Sequence, residues 1–170
     1  MHLRLATLAD APALRDLTES TFVDTYAHLN TPENMAKYLE GKFTEEQLIS
    51  ELSESNTVFL VDENTDGELI SYAKIRVNLA EMPDPKAIEI ERIYVSKDAQ
   101  SQGLGKAMLQ ACCQKAIALG YETIWLGVWE ENTKALGFYK KMGFETFGKH
   151  NFQLGEEAQT DLLMKKHVLS

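Results

Sequence analysis

The chain has 170 residues, 44% of them hydrophobic and 25% charged, which is enough to build one globular core without disulfide or metal staples. Its formal net charge of −9 argues against nucleic acid as a partner, because a phosphate backbone needs a basic surface, and is compatible with a cationic ligand. Cys112 and Cys113 are adjacent, so they form no CxxC site; no apolar run reaches membrane-spanning length, and residues 1–5 lack the apolar core of a signal peptide. A cytoplasmic protein with no membrane partner and no metal site is the expectation.

Leu3 and Leu5 alternate with polar neighbours and predict a short first strand. Asp10-Ala11-Pro12 predicts a helix start, with the acid as cap and proline in the first turn. Further helices are predicted to begin at Thr31-Pro32-Glu33 and at Thr44-Glu45-Glu46-Gln47, the latter with capping-box spacing. Residues 58–61 read as a strand, joined through the turn Asn64-Thr65-Asp66-Gly67 to a hairpin partner over 69–77. A loop over 81–85 carries two prolines, and a strand over 88–95 follows. The next helix covers about 104–119 and closes on Gly120, with Lys106, Gln110 and Gln114 as its solvated stripe. Residues 123–129 predict a strand, Asn132 caps a helix that ends before Gly143, and 144–152 and 160–167 read as closing strands. No repeat or linker interrupts this order, so residues 1–170 are expected to form a single α/β domain with a mixed sheet.

The sharpest local feature is the passage from Tyr94-Val95 into Gly103-Leu104-Gly105-Lys106, a strand, a short loop and a helix start. Free N–H groups at a helix N-terminus attract an anion, and glycines let the backbone approach it closely. A dinucleotide fingerprint would place a third glycine where Met108 stands, and a Walker A loop would place Ser or Thr where Ala107 stands. Both nucleotide patterns therefore fail. For G-x-G alone, a purely structural turn remains the alternative.

The segment Gln100-x-x-Gly103-x-Gly105 resembles the Q/R-x-x-G-x-G/A motif of the GNAT acyltransferase superfamily, although many relatives carry arginine at position 100. Asn132-x-x-Ala135-x-x-Phe138-Tyr139-x-x-Met142-Gly143-Phe144 is similar to a second motif of that superfamily. Stretches around Thr21-Phe22, Pro32-Glu33-Asn34-Met35, Glu89-Ile90-Glu91-Arg92, residues 124–130 and Glu156-x-x-Gln159-Thr160-Asp161 resemble PaiA-type polyamine acetyltransferases within it.

The resemblance implies the GNAT fold, a central mixed and mostly antiparallel sheet flanked by helices, with strands splayed at the cofactor site. It implies acetyl-CoA as acyl donor, with its pyrophosphate on Gln100, Ser101, Gln102, Gly103, Leu104, Gly105 and Lys106. Its pantetheine arm would pair with the backbone of Ile93, Tyr94 and Val95, and Asn132, Tyr139 and Lys141 would complete the cofactor contacts. An alkylamine is only about a thousandth unprotonated at pH 7, so a base is needed. Glu91 is the residue that the resemblance implies for that base, with Glu89 as a supporting charge and Tyr139 as the acid that protonates the leaving thiolate. Exposed strand acids and a core tyrosine are the bland alternatives.

From Leu8 to Asn56 ten acids face three bases, so this segment carries −7 of the net −9. In GNAT relatives these early helices border the acceptor groove, and an acidic wall attracts a polycation. Asp24, Tyr26, Glu33, Glu89 and Trp129 are the expected acceptor contacts, and the expected partner is a small polyamine such as spermidine or spermine. Another small amine or a protein N-terminus is the alternative acceptor, a non-catalytic CoA-binding regulatory module is the alternative function, and a homodimer is left open.

Overall fold

The computed structural model describes residues 2–27, 30–41, 43–154 and 157–169; Lys42, one of the three bases counted from Leu8 to Asn56, and Glu156 lie outside them. In chain order, β1 (His2–Leu5) leads through a 3-10 turn into α1 (Ala11–Tyr26), α2 (Pro32–Leu39) and α3 (Glu45–Leu52). Then follow β2 (Thr57–Glu63), β3 (Leu69–Arg76), β4 (Ala87–Val95), α4 (Leu104–Ala118), β5 (Thr123–Trp129), α5 (Thr133–Lys141), β6 (Glu145–Leu154) and β7 (Glu157–His167). The strands form one sheet in the order β1-β2-β3-β4-β5-β7-β6, antiparallel except between β4 and β5. This is the mixed, mostly antiparallel sheet expected from the sequence.

Side-chain caps set several boundaries. Thr31 Oγ1 accepts from the Asn34 N–H and Thr44 Oγ1 from the Gln47 N–H, both at 3.1 Å. Asn132 Oδ1 accepts from the Ala135 N–H at 3.2 Å. Two expectations need correction. Asp10 stands at the N-cap of α1 but does not cap it: its carboxylate is held by Arg4 at 2.8 and 2.9 Å and by the Thr7 N–H at 2.7 Å, because a guanidinium fork outbids a single amide. The capping box at Thr44 is half formed, since the Gln47 amide bonds Glu51 at 3.1 Å instead of reaching back.

The sheet separates two packed faces. Met108, Leu109, Cys112 and Ala116 recur at the spacing of one helix face and bury against Ile88, Ile90, Ile124 and Leu126, so α4 covers one side. Burial pushes the Cys112 thiol up to about 12, which leaves it a small apolar filler. On the other side Leu14, Leu17 and Leu48, from α1 and α3, pack on Phe59, Val61 and Tyr72. Alternation along β5 follows directly: Ile124, Leu126 and Val128 face α4, while Trp125 packs with Ala87, Leu163 and Met82 on the opposite face. No helix among the described residues is long and apolar enough to cross a membrane.

Two irregularities shape the centre. Pairing between β4 and β5 covers Ala87↔Thr123, Ile88↔Ile124 and Glu89↔Trp125 and then stops, although the strands run on to Val95 and Trp129. The strands thus splay into a fork, as the resemblance implied. On the other edge of β4 the register jumps from Ile75↔Ile90 to Lys74↔Arg92, leaving Glu91 as an extra residue in a bulge.

Candidate active site

A cleft of about 800 Å³ opens where β4 and β5 part, between the starts of α4 and α5. The loop from β4 to α4 forms one wall. Gln100 donates from its amide to the Val95 carbonyl at 3.2 Å, which ties the loop to the strand end. Ser101 and Gly103 take left-handed backbone angles, φ 74° and 76°, that turn the chain sharply into α4. Gly103 is the N-cap and supplies no capping side chain, so the first-turn amides of Leu104, Gly105 and Lys106 begin a helix that lines the cleft without an internal cap. At Gly105 a Cβ would meet only Val95 Cγ2, at an ordinary 3.9 Å. Packing does not demand glycine there, whereas close approach by an anion would.

Gln100, Ser101, Gly103 and Lys106 line this wall, and Ile93 and Val95 line the floor. The Tyr94 side chain points to the opposite face, edge-on to Tyr72 at 5.5 Å, so only its backbone is available to a ligand in the fork. Gln102 and Lys141 are exposed and stand outside the lining. The cations that do line the cleft are Lys97, Lys106 and Lys134. Lys97 had no sequence signal beyond its place just after a strand.

Across the cleft, α5 brings Asn132 and Tyr139 to the lining. Tyr139 is 8% exposed, with Phe138 and Phe144 edge-on at 5.2 and 5.6 Å. Burial raises its phenol well above the ordinary value, so it carries its proton at any physiological pH and is available as a donor.

Glu91 and Glu89 lie on the far side of β4 in a network of ion pairs. Lys74 Nζ, 2% exposed, is 2.8 Å from Glu51 and 2.6 Å from Glu91. Arg76 bridges Glu89 at 2.8 Å and Glu91 at 3.2 Å, and Arg92 holds Glu51 at 2.7 Å. The bulge makes this possible, because it turns the consecutive Glu91 and Arg92 toward the same side. Burial alone would raise the Glu51 carboxyl, yet Arg92 and Lys74 hold it down to about 2. Glu51, one of the ten acids between Leu8 and Asn56, is 4% exposed and belongs to this interior network.

Of the expected acceptor contacts, Asp24 and Trp129 line the cleft. Tyr26 packs on Trp129 with ring centroids 5.1 Å apart. Glu33 is exposed in the first turn of α2 and Glu89 is engaged by Arg76 and Asn78. One acid that the sequence did not assign stands close by. Asp161 on β7 lies opposite Trp129, and burial raises its carboxyl to about 6 against a partial offset from His150.

Comparison with known proteins adds the following. The family model described as Acetyltransferase (GNAT) family matches residues 12–144. An N-acetyltransferase from the pepI 3′ region of Lactobacillus delbrueckii subsp. lactis is 40% identical over 94% of this chain and 93% of its own length. An N-alpha-acetyltransferase of Sulfurisphaera tokodaii is 30% identical over 84% of this chain and 85% of its own. The PaiA N-acetyltransferase of Thermoplasma acidophilum, solved in complex with coenzyme A, superposes with a TM-score of 0.77 at 20% identity, covering 98% of this chain and 99% of that one. That last likeness shows the shared fold.

Proposed function

Because the chain belongs to the acetyltransferase (GNAT) family, we propose that it transfers an acetyl group from acetyl-CoA to a primary amine of a polyamine such as spermidine or spermine. The observation that carries the donor half is the cleft at the β4–β5 fork, with an uncapped helix start on one wall and a protonated phenol on the other. The residues fit the group. Amides of Leu104, Gly105 and Lys106, with Lys97 and Lys134 nearby, would receive the pyrophosphate. The edge of β4 beyond Glu89 faces the fork and would pair with the pantetheine arm.

The free amine bonds to the acetyl carbon, the carbon–sulfur bond breaks, the sulfur takes the proton of Tyr139, and the second proton that the nitrogen sheds on becoming an amide restores that phenol through solvent. Glu91 is the proposed acceptor of the proton that the ammonium gives up. Lys74 and Arg76 already form ion pairs with its carboxylate, so a water between amine and Glu91 is the proposed route. Tyr139→Phe should lower kcat about a hundredfold with acetyl-CoA affinity kept, and Glu91→Gln should lower kcat more than that affinity. Full activity of either variant removes that residue from the chemistry.

The polyamine half is supported by the resemblance to PaiA-type enzymes, by the acidic early helices and by the exposed Asp24 in the cleft lining. A peptide N-terminus is the second reading, favoured by the similarity to the Sulfurisphaera tokodaii N-alpha-acetyltransferase over most of both chains. Steady-state assays with acetyl-CoA and a panel of spermidine, spermine, monoamines and short peptides decide between them. Higher kcat/KM for spermidine or spermine is expected. Turnover of peptides or monoamines alone overturns the polyamine assignment, and CoA binding without turnover of any amine leaves only a binding module.

A further inference from the structure

The fork has a second side. Beyond the last paired position, Trp125, the next residue of β5 on the same face is Gly127, and then Trp129. Trp125 and Trp129 are 1% and 4% exposed, yet Gly127 between them is exposed. A central strand therefore has an opening over bare backbone where the strands separate. The Asp161 carboxylate stands at its edge: a Cβ on Gly127 would lie 3.2 Å from Asp161 Oδ2.

The surroundings of that carboxylate leave it unfinished. Asp161 Oδ1 is buried and has no hydrogen-bond partner among the described residues. Buried carboxylate oxygens are normally paired, because an unmet acceptor costs its full desolvation. The groups that face Asp161 among the described residues are His150 from β6, with Nε2 3.6 Å from Oδ2, and the phenols Tyr26 from α1 and Tyr38 from α2. His150 in turn lies 3.8 Å from Glu81 through Nδ1, so it stands between two acids. Tyr26 and Trp129 pack against each other beside the opening, and Trp129 also lines the donor cleft, which joins the two sides of the fork.

We propose that Asp161, beside the opening over Gly127, is the subsite that receives the acceptor's ammonium group. The proposal rests on the amine-acetylating reading above and names the residue that selects the cation. An ammonium entering over Gly127 meets Oδ2, the oxygen beside the opening, and supplies a positive charge for a carboxylate that burial opposes and whose Oδ1 has no partner among the described residues. The faces of Tyr26 and Trp129 favour the same ligand. The carboxyl is raised to about 6, so it binds a cation when ionised above that pH and loses its attraction as the pH falls below it.

The test uses Asp161→Asn and Gly127→Ala, with Asp66→Asn in the exposed turn between β2 and β3 as a charge-matched control. Amine kinetics at saturating acetyl-CoA are measured from pH 5 to 9, alongside calorimetric titration of the CoA-bound protein with spermidine. Asp161→Asn should raise the spermidine KM and Kd about tenfold or more, leave acetyl-CoA affinity within about twofold, and remove the acid limb of kcat/KM. Gly127→Ala, which crowds the carboxylate and fills the opening, should act in the same direction and decides alone if Asp161→Asn does not fold. Unchanged spermidine affinity and pH profile in these variants overturn the subsite while wild-type turnover leaves the acetyltransferase reading standing. A wild-type protein that binds spermidine through Asp161 but acetylates no amine keeps the subsite and loses that reading. A protein that neither binds nor acetylates an amine loses both.

Discussion

Carboxylates on one face of the sheet meet two different fates. Glu51, Glu89 and Glu91 are enclosed by Lys74, Arg76 and Arg92, each acid with at least one cation within 2.8 Å. Asp161, two strands away from β4, has among the described residues only His150 at 3.6 Å as a partner, with Oδ2 beside an opening and Oδ1 buried without a hydrogen-bond partner. The first group is closed: its charges cancel inside the protein, and Glu51 is stabilised as an anion against the cost of burial. The second is open, and burial raises its carboxyl to about 6 instead of its charge being balanced inside the protein. An acid near a cleft is thus a weak sign of ligand binding by itself, and whether its charge is already balanced says more.

The comparison breaks first at Lys74. Its Nζ serves Glu51 and Glu91 from a position 2% exposed, so Lys74→Met leaves two carboxylates short of a cation in the interior. Loss of one partner of a buried pair costs about 3–5 kcal/mol, and Arg76 and Arg92 remain, so about 3 kcal/mol is expected in urea unfolding at pH 7. The double variant Lys74→Met with Glu51→Met should recover much of that loss, because apolar replacement of a whole buried pair is often close to neutral. Stability unchanged in Lys74→Met would mean that the network does not hold the α3 side of the sheet together.

The contrast between the two groups also marks where sequence is legible. Features fixed within a few residues were readable. Thr31 and Asn132 act as caps, Thr123–Trp129 has the bounds expected of it, and the left-handed Gly103 starts α4. Features fixed by distant chain were not. Glu51 looks like one more acid on an exposed helix until Lys74 and Arg92, far along the chain, meet it. Arg4 pairs with Asp10 and Glu63, and Leu3 and Leu5 are left exposed, the reverse of the usual strand pattern. The bulge at Glu91 has no glycine to announce it. Asp161 was visible only as part of a motif, because its neighbours Tyr26, Gly127 and His150 come from three other elements.

A smaller effect sharpens the comparison from the other side. A carboxyl whose folded value stands near 6, above its ordinary 3.8, keeps its proton more readily in the folded chain than in the unfolded one. Below 3.8 it is mostly protonated in both states and costs little. Between 3.8 and 6 the unfolded chain ionises first, so stability falls as pH rises, and above 6 the whole cost is present. Asp161→Asn removes that cost, since an amide stays neutral at every pH. It should therefore raise the thermal midpoint at pH 7 by about 2–4 °C and have no such effect at pH 3.5, read by scanning calorimetry at both. A carboxylate serving the fold, like Glu51, would give the opposite sign, with a lower midpoint at pH 7. Higher stability together with weaker spermidine binding is the combination expected of a charge kept for a ligand.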